Sequence, residues 1–564
     1  MDTVNGAEAA VRMLDLYGVR HIFGLCGDTS LPFYDALFRL EHQITHVLTR
    51  DERSAAYMAD GYARVSGRPG VCEGPSGGGA TYLLPGLVEA NESSSPVLGI
   101  TSDVPVLSRG RYPLTELDQE SLYRPLTKWN TVCDRADQVP QAIRTAFRYM
   151  TTGRPGAAHI GLPYDVLTQP VDPAEIWAQP GHDRYPAWPS GADPVAVAAA
   201  AEAILRARRP VFICGGGVIA SRATDVLAEV ATLLDAPVCT TVSGKGSIAD
   251  THPLGVGVVG LNGGVVATRD VVQQADLVVF VGCRAGSTTT ERATTPSRHV
   301  PIVHIDVDPM AVSANYRTDH ALIGDARLVL EALLGAVQAR LADRPPVEHD
   351  GRAVVARARQ AKCAAFAPLA AEAMRPIRPE RVIAELNRVL PRDAIVVADP
   401  GTPCPYLSAY YELQDAGRHF LTNRAHGALG YSLPAAVGAW FARPHAKCVS
   451  VMGDGSFGFT VGELETVVRL KVPLLMLVLS NATFGWIKAS QKASYGGRYY
   501  SVDFSRTDHA LIAAGYGVRS WRIDDPSQLG AVLREAAEHD GPALVDIVVQ
   551  SLEDAAAPVL QWMG

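Results

Sequence analysis

Eight short apolar runs recur along this chain: PVLGITSD, GAAHIGLP, PVFICGGG, DLVVFVGC, PIVHIDVD, DAIVVADPG, KCVSVMGDG and PLLMLVLSN. They are near-continuous in Val, Ile and Leu, as strands buried on both faces are. Between them lie longer stretches with helical spacing, so each strand returns to its sheet through a crossover helix. Its 564 residues exceed a single core, since domains average about 150 residues. Two stretches break the rhythm. Residues 168–194 are rich in Pro and lack periodicity, as a linker would be. Residues 341–379 combine a Pro-flanked start with alanine-rich helical sequence. The expected fold class is α/β, with three doubly wound parallel-sheet domains near 1–170, 190–340 and 375–550, the first and third open to a distant structural kinship.

Composition narrows the partners. The net charge of −8 offers nothing to nucleic acid or to an anionic membrane. No apolar run reaches the roughly 20 residues that span a bilayer, and the acidic N-terminus reads as an amphipathic helix followed by a strand, not as a signal peptide. The nine cysteines are scattered without a C-x-x-C pair. They read as reduced, mostly buried thiols of a cytoplasmic protein.

The stretch VMGDGSFGFTVGELETVVRLKVPLLMLVLSN carries the sharpest chemistry. The glycines of Gly453-Asp454-Gly455 allow a sharp turn and close approach to a ligand. Asn481 closes the next strand, 27 positions after Asp454. One strand-helix-strand step of that length puts both at the carboxyl ends of neighbouring parallel strands, where open α/β sheets bind ligands. A carboxylate and an amide oxygen, completed by a backbone carbonyl and ligand phosphates, suit Mg²⁺.

This segment resembles the diphosphate-binding signature of thiamine diphosphate enzymes, which begins with GDG and ends at Asn. The resemblance implies Mg²⁺ held by Asp454, the Asn481 side chain and the carbonyl of Thr483. Gly453, Gly455 and Ser456 would lie against the diphosphate. Family members usually end the motif with Asn-Asn, where this chain has Ser480-Asn481. The segment VLTRDERSAAYMADGYARVSGRPGVC is similar to the one in which a family strand ends at a catalytic glutamate, a place taken here by Glu52. A carboxyl there, raised by desolvation, protonates the cofactor's aminopyrimidine. Glu52 and Asp454 are 402 positions apart, and the family joins them across a dimer interface, so a homodimer or homotetramer is implied. GALGYSLPAAVGA resembles the segment that bends the cofactor, with Leu429 under the bend and the Gly427 carbonyl accepting from the aminopyrimidine amine. ADPGTPCP resembles the phosphate loop, making Gly401 and Thr402 candidates there. The three domains would then be pyrimidine-binding, central Rossmann-like and diphosphate-binding.

Two other signals compete. Gly74-Pro75-Ser76-Gly77-Gly78 fits the G-x-S-x-G of serine hydrolases, yet also matches the glycine-rich loop of the thiamine diphosphate family. Gly215, Gly217 and Ala220 make a G-x-G-x-x-A after a strand, with Asp235 about where a ribose-binding acid would sit. The family's central domain binds FAD in some members and is empty in others.

The overall layout most resembles the acetolactate synthase large-subunit group, which decarboxylates one 2-oxo acid and ligates the remainder to another. Three departures set this chain apart. Pro113-Leu114-Thr115-Glu116 stands where those enzymes carry Ala-Phe-Gln-Glu, GCRAGSTTTER lacks their Asp-Asp-Arg, and Ser490 replaces their acceptor-selecting Trp. The first two also leave FAD unsupported. Asp28, in GLCGDTS, matches an acid beside the substrate in pyruvate-type decarboxylases, but their adjacent His pair has no counterpart. Trp486, Lys488 and Gln491 are expected to face a 2-oxo acid or aldehyde substrate. The alternatives to a carboligase are a non-oxidative 2-oxo acid decarboxylase, a carbon-carbon lyase, or a catalytically silent nucleotide-binding homologue.

Overall fold

The computed structural model describes residues 4–342 and 349–560. Its frame is three six-stranded sheets with helices between the strands. The first sheet contains β1 (His21–Gly24), β2 (Thr45–Leu48), β3 (Gly70–Gly74), β4 (Val97–Asp103), β5 (Trp129–Val132) and β6 (Ala158–Pro163), in the order β2-β1-β3-β4-β6-β5. The second contains β7 (Pro210–Cys214), β8 (Val238–Thr240), β9 (Gly255–Val258), β10 (Leu277–Val281), β11 (Ile302–Asp306) and β12 (His320–Ile323), in the order β9-β8-β7-β10-β11-β12. The third contains β13 (Ile395–Ala398), β14 (Phe420–Thr422), β15 (Cys448–Gly453), β16 (Leu475–Ser480), β17 (Arg519–Ile523) and β18 (Ala543–Val548), in the order β14-β13-β15-β16-β18-β17.

The pairings are parallel, as the apolar runs require. Val97–Asp103, Leu277–Val281 and Leu475–Ser480 are buried at every residue. Each Val, Ile or Leu so enclosed stabilises the fold by about 1.5–3 kcal/mol relative to exposure. The first and third sheets are threaded in the same order, which supports a structural kinship between those two domains. The central sheet has the strand order of a dinucleotide-binding fold. In each sheet the order in which strands are added turns back at one neighbouring pair: β1 and β3, β7 and β10, β13 and β15. Connections leave such a pair on opposite faces, which opens a crevice at the carboxyl ends.

Six helices position the candidate residues and their supports: α1 (Leu31–Arg39), α2 (Glu52–Ser66), α3 (Ser432–Ala442), α4 (Asp454–Thr460), α5 (Glu463–Arg469) and α6 (Gly485–Tyr495). Asp51 caps α2 by accepting from the Arg53 amide at 2.7 Å, and Gly67, at φ 70°, ends it in the left-handed conformation.

The chain divides into two compact units. One takes the residues up to Trp188 with Asn423–Cys448 and Phe459–Val472; the other takes Pro189–Thr422, Val449–Gly458 and the chain from Pro473 onward. The first break therefore falls inside the Pro-rich stretch. Of the second, residues 343–348 lie outside the described part, and the alanine-rich remainder is a helix over Gly351–Ala371. In the first unit α2 and α3 cross with almost no space between them. A Cβ at Gly61 would overlap the Ala435 carbonyl oxygen, and one at Gly438 that of Met58.

Candidate functional site

β15 ends at Gly453 and α4 begins at Asp454 without an intervening residue. Gly453 pairs with Leu479 on β16, which ends at Ser480. Asp454 and Asn481 thus leave adjacent strands at the same edge, and the structure brings them together. Asp454 Oδ2 accepts from the amides of Asn481 at 2.9 Å and Ala482 at 2.6 Å, and Oδ1 from the Gly455 amide at 2.9 Å. Asn481 Oδ1 accepts from the Thr483 amide at 3.3 Å, and the Thr483 carbonyl accepts from that of Gly485 at 2.9 Å. Burial pushes the Asp454 carboxyl up from its ordinary range, against the pull of these amides and of nearby His509. Ser480 is bonded to buried Asp546, which also accepts from the His509 amide at 3.0 Å and from Arg522 at 2.7 Å.

β13 lies beside β15, and the Asp399 amide donates to the Val451 carbonyl at 2.9 Å. Gly401, at φ 90°, and buried Thr402 follow at the same end, ahead of a helix that starts at Pro403. A Cβ on Gly401 or Gly453 would meet no atom within 4 Å, so both backbones border open space. Ser456 is buried on α4.

In the other unit, Gly427, at φ 74°, and half-buried Leu429 lie on the loop that leads into α3. The loop is fastened to its surroundings. The His426 amide donates to Glu89 at 2.7 Å, and the Tyr431 hydroxyl to Asp60 at 2.7 Å. Arg64 joins both acids at 2.9 Å. Asn423 is fully buried, donates to the Ala428 carbonyl, and leaves its Oδ1 without a hydrogen-bond partner among the described residues.

Glu52 is the first residue of α2 and 6 % exposed. A Cβ on Gly74 would lie 3.2 Å from its Cγ, and one on Gly79 would lie 3.0 Å from its Oε1. The glycine-rich loop after β3 therefore leaves room for this carboxyl. Burial raises its pKa, and the nearby charges of Asp51 and Glu73 add to the effect. Exposed Asp28 starts a short turn after β1. Its neighbour Thr29 bonds to Ser76 at 3.0 Å and to Ser102 at 2.7 Å.

Family models match these regions in order. Residues 4–122 match the N-terminal TPP binding domain of thiamine pyrophosphate enzymes, 197–333 their central domain, and 399–547 their C-terminal TPP binding domain. The chain belongs to this family. Thiamine pyrophosphate is thiamine diphosphate under its other name. A probable acetolactate synthase large subunit of Methanocaldococcus jannaschii is 35 % identical over 559 residues, 98 % of this chain and 93 % of that protein. Acetolactate synthase isozyme 3 large subunit of Escherichia coli is 31 % identical, covering 98 % and 96 %. The isozyme 2 large subunit of the same organism is 30 % identical, with the same coverage.

The donor set of this family member fits a hard cation. No group of three or more His, Cys, Asp or Glu gathers to hold a metal among the described residues. What the loop offers is oxygen: one carboxylate, one side-chain amide and one carbonyl with a lone pair to spare. That set leaves half of an octahedron to phosphate oxygens and water, which is how Mg²⁺ is commonly held. The open backbone at Gly453 on β15, and at Gly401 just after β13, leaves space for the phosphates.

Elsewhere the family fold corrects one expectation. Asp235 does not stand where a ribose acid would. It ends the helix Thr224–Leu234 at φ 43°, before β8 begins, and so lies at the amino edge of the sheet, opposite the crevice. Counting residues from the glycines gave the distance along the chain but not the edge. Gly215 and Gly217 have a packing role, since a Cβ on Gly217 would come within 2.7 Å of the Gly282 Cα and one on Gly215 would overlap the Gly282 carbonyl. Ser76 Oγ meets the hydroxyls of Thr29 at 3.0 Å and Thr115 at 2.7 Å, with no histidine among its hydrogen-bond partners in the described residues.

The substrate candidates sit on α6 as expected, but their polar ends are engaged. Lys488 binds Asp503 at 2.8 Å and Glu553 at 3.2 Å. Gln491 holds both backbone groups of Tyr500. Trp486 packs against the apolar core. Lys488 and Gln491 thus tie α6 to the segment around residue 500. Sequence reasoning missed Asn423 and Glu73. Asn423 directly follows β14 just as Asn481 directly follows β16, and Glu73 interrupts an apolar strand. Both signals were present in the sequence.

Proposed function

We propose that this chain is a thiamine diphosphate- and Mg²⁺-dependent 2-oxo acid carboligase of the acetolactate synthase type, a transferase acting on small 2-oxo acids or aldehydes. The observation that carries the reading is the loop 481–483 wrapped around the Asp454 carboxylate at the end of β15. Asp454, Asn481 and the Thr483 carbonyl would hold the metal, and Gly401, Thr402, Gly453, Gly455 and Ser456 would receive the diphosphate. Gly427 and Leu429 would meet the aminopyrimidine and the bend of the cofactor. When bound, the cofactor supplies the ring that accepts the electrons released on decarboxylation. Glu52 supplies the acid: burial keeps a proton on its carboxyl to higher pH than an exposed glutamate would hold it. A homodimer or homotetramer, as the family's shared site implies, and a cytoplasmic setting, which suits nine free thiols, complete the reading.

A second reading, a decarboxylase or carbon-carbon lyase on the same fold, rests on Ser490. Its hydroxyl turns back to the Trp486 carbonyl at 3.0 Å within α6, so the helix offers no aromatic surface at that position to select an acceptor. Asp28 remains a substrate candidate under either reading.

Glu52→Gln is the direct test. It should retain thiamine diphosphate by calorimetry while kcat falls by about 10²- to 10⁴-fold; turnover at the parent rate would remove the assignment. Product analysis across a panel of 2-oxo acids separates the two readings. Ligated hydroxy-oxo acids indicate a carboligase, and free aldehyde with CO₂ indicates a decarboxylase.

A further inference from the structure

Glu73 has no task in the proposed reaction, yet it is 2 % exposed in the middle of a glycine-flanked strand end. Its carboxyl lies flat on the backbone of Gly24 on β1, where any Cβ would overlap it. Oε1 accepts from the Tyr34 hydroxyl on α1 and meets His46 Nε2 on β2 at 3.2 Å. The Tyr34 oxygen and His46 Nε2 are themselves 2.9 Å apart. Three polar groups from α1, β2 and β3 therefore close on one another. The neighbouring strand residues are Val71 and Cys72, both fully buried, so an apolar side chain would suit the same place. A carboxyl buried there costs several kcal/mol unless it is well bonded.

On the other side of this strand end lies Glu52. Gly74, the next residue, faces the Glu52 Cγ, so the two carboxyls flank one short piece of backbone. We propose that Glu73, held by Tyr34 and His46, is a positioning residue for Glu52, a second acid whose negative charge behind the β3 end keeps the proton on the Glu52 carboxyl. The proposal rests on the reading of Glu52 as the working acid.

Two acids on either side of one strand end compete for a proton, and their partners decide which one keeps it. Burial pushes the Glu73 carboxyl up from its ordinary range, and the His46 imidazole and the Tyr34 hydroxyl pull it back toward the charged form. Glu52 has neither. The other titratable groups beside Glu52 are its own cap Asp51, which is bonded to Arg53 at 3.2 Å, and Tyr34 from α1. Asp51 and Glu73 are the charges that raise it after burial itself.

The test is an infrared titration of the protonated carboxyl bands in the full chain without cofactor, with Glu52→Gln identifying the Glu52 band by its loss. In Glu73→Gln the midpoint of that band should fall by about one pH unit, a tenfold loss of proton affinity. Tyr34→Phe, which keeps both carboxyls and removes only the hydroxyl donor, should move it the same way by less, and decides the matter if Glu73→Gln does not fold. The acid-dependent limb of kcat/KM should follow the band in each variant. A midpoint unmoved in the folded variant, with Glu52→Gln inactive, overturns the role of Glu73 alone. Full turnover in Glu52→Gln overturns the acid assignment and this proposal with it.

Discussion

Asp454 is the residue on which most of the site's order depends, because its carboxylate accepts three backbone amides before any ion is considered. Ala482, at φ 58°, sits in the left-handed region to bring one of those amides round. Asp454→Asn replaces one acceptor oxygen by an NH₂ that cannot receive an amide. The variant should lose about 1–3 kcal/mol of stability without ligand, and should gain less from added Mg²⁺ and thiamine diphosphate than the parent does. Thermal melts with and without both ligands separate the two effects. Glu463, in the first unit, makes a pH prediction of known sign. Burial pushes its carboxyl up to about 6 from 4.5, although it accepts from the Arg50 amide at 2.9 Å and from Thr466 at 2.7 Å. The folded state therefore binds the proton more tightly, so this contribution is complete below pH 4.5 and is lost as pH climbs through about 6. The loss amounts to about 2 kcal/mol. Glu463→Gln keeps an acceptor for Arg50 and removes the titration, so the gap between its urea midpoints at about pH 4.5 and about pH 7.5 should shrink by that amount relative to the parent.

The crossing of α2 and α3 shows what an element contributes that its own sequence does not announce. Gly438 lets α3 lie directly on the Met58 carbonyl, and Tyr431 and Arg64 close the far end of the pair. Gly438→Ala should destabilise the protein by about 1–3 kcal/mol through forced separation of the helices, overriding a helix-propensity gain of about 1 kcal/mol. Gly335→Ala provides the contrast. It lies exposed in the helix Ala326–Leu341 with nothing near an added Cβ, and should stabilise by about 0.5–1 kcal/mol. Urea midpoints that rise for both would falsify the close-packing account. The small residues of AAYMADG and PAAVGA were legible as a motif but not as a helix crossing, because contact between segments nearly 400 positions apart leaves no local period. The strands were legible as apolar runs, and so was the strand-end placement of Asp454 and Asn481, since both arise from short-range patterning. Glu73 was overlooked for the opposite reason. A single acid in an apolar strand reads as noise until Tyr34 and His46 are seen to meet it.

At the scale of the whole molecule, the three parallel sheets could be expected from the strand pattern, whereas the division into compact units depends on long-range packing that no local stretch records. Asp235 shows the same limit within one sheet, since spacing along the chain does not say which edge a residue reaches. The first unit gathers three separate pieces of chain. Its N-terminal piece holds the whole first six-stranded sheet and an apolar core of its own, including Ile22, Val71, Leu98, Ile100 and Ile160. Nevertheless α2 is buried at Tyr57, Met58, Asp60 and Gly61, and each of these positions meets a residue of the 423–448 piece: Tyr57 and Asp60 meet Tyr431, Met58 meets Gly438, and Gly61 meets Ala435. Cut away from that piece, residues 1–188 would expose an apolar helix face together with the buried acids Asp60 and Glu89, the first without its tyrosine and the second without the His426 amide. The fragment should consequently melt broadly and self-associate. Joining 1–188 to 423–448 and 459–472 through short flexible linkers restores each of these contacts, and should restore a single cooperative transition. Calorimetry of the two polypeptides decides it: a sharp transition at the same temperature in both would mean that the N-terminal sheet folds without the segments that complete its helix layer.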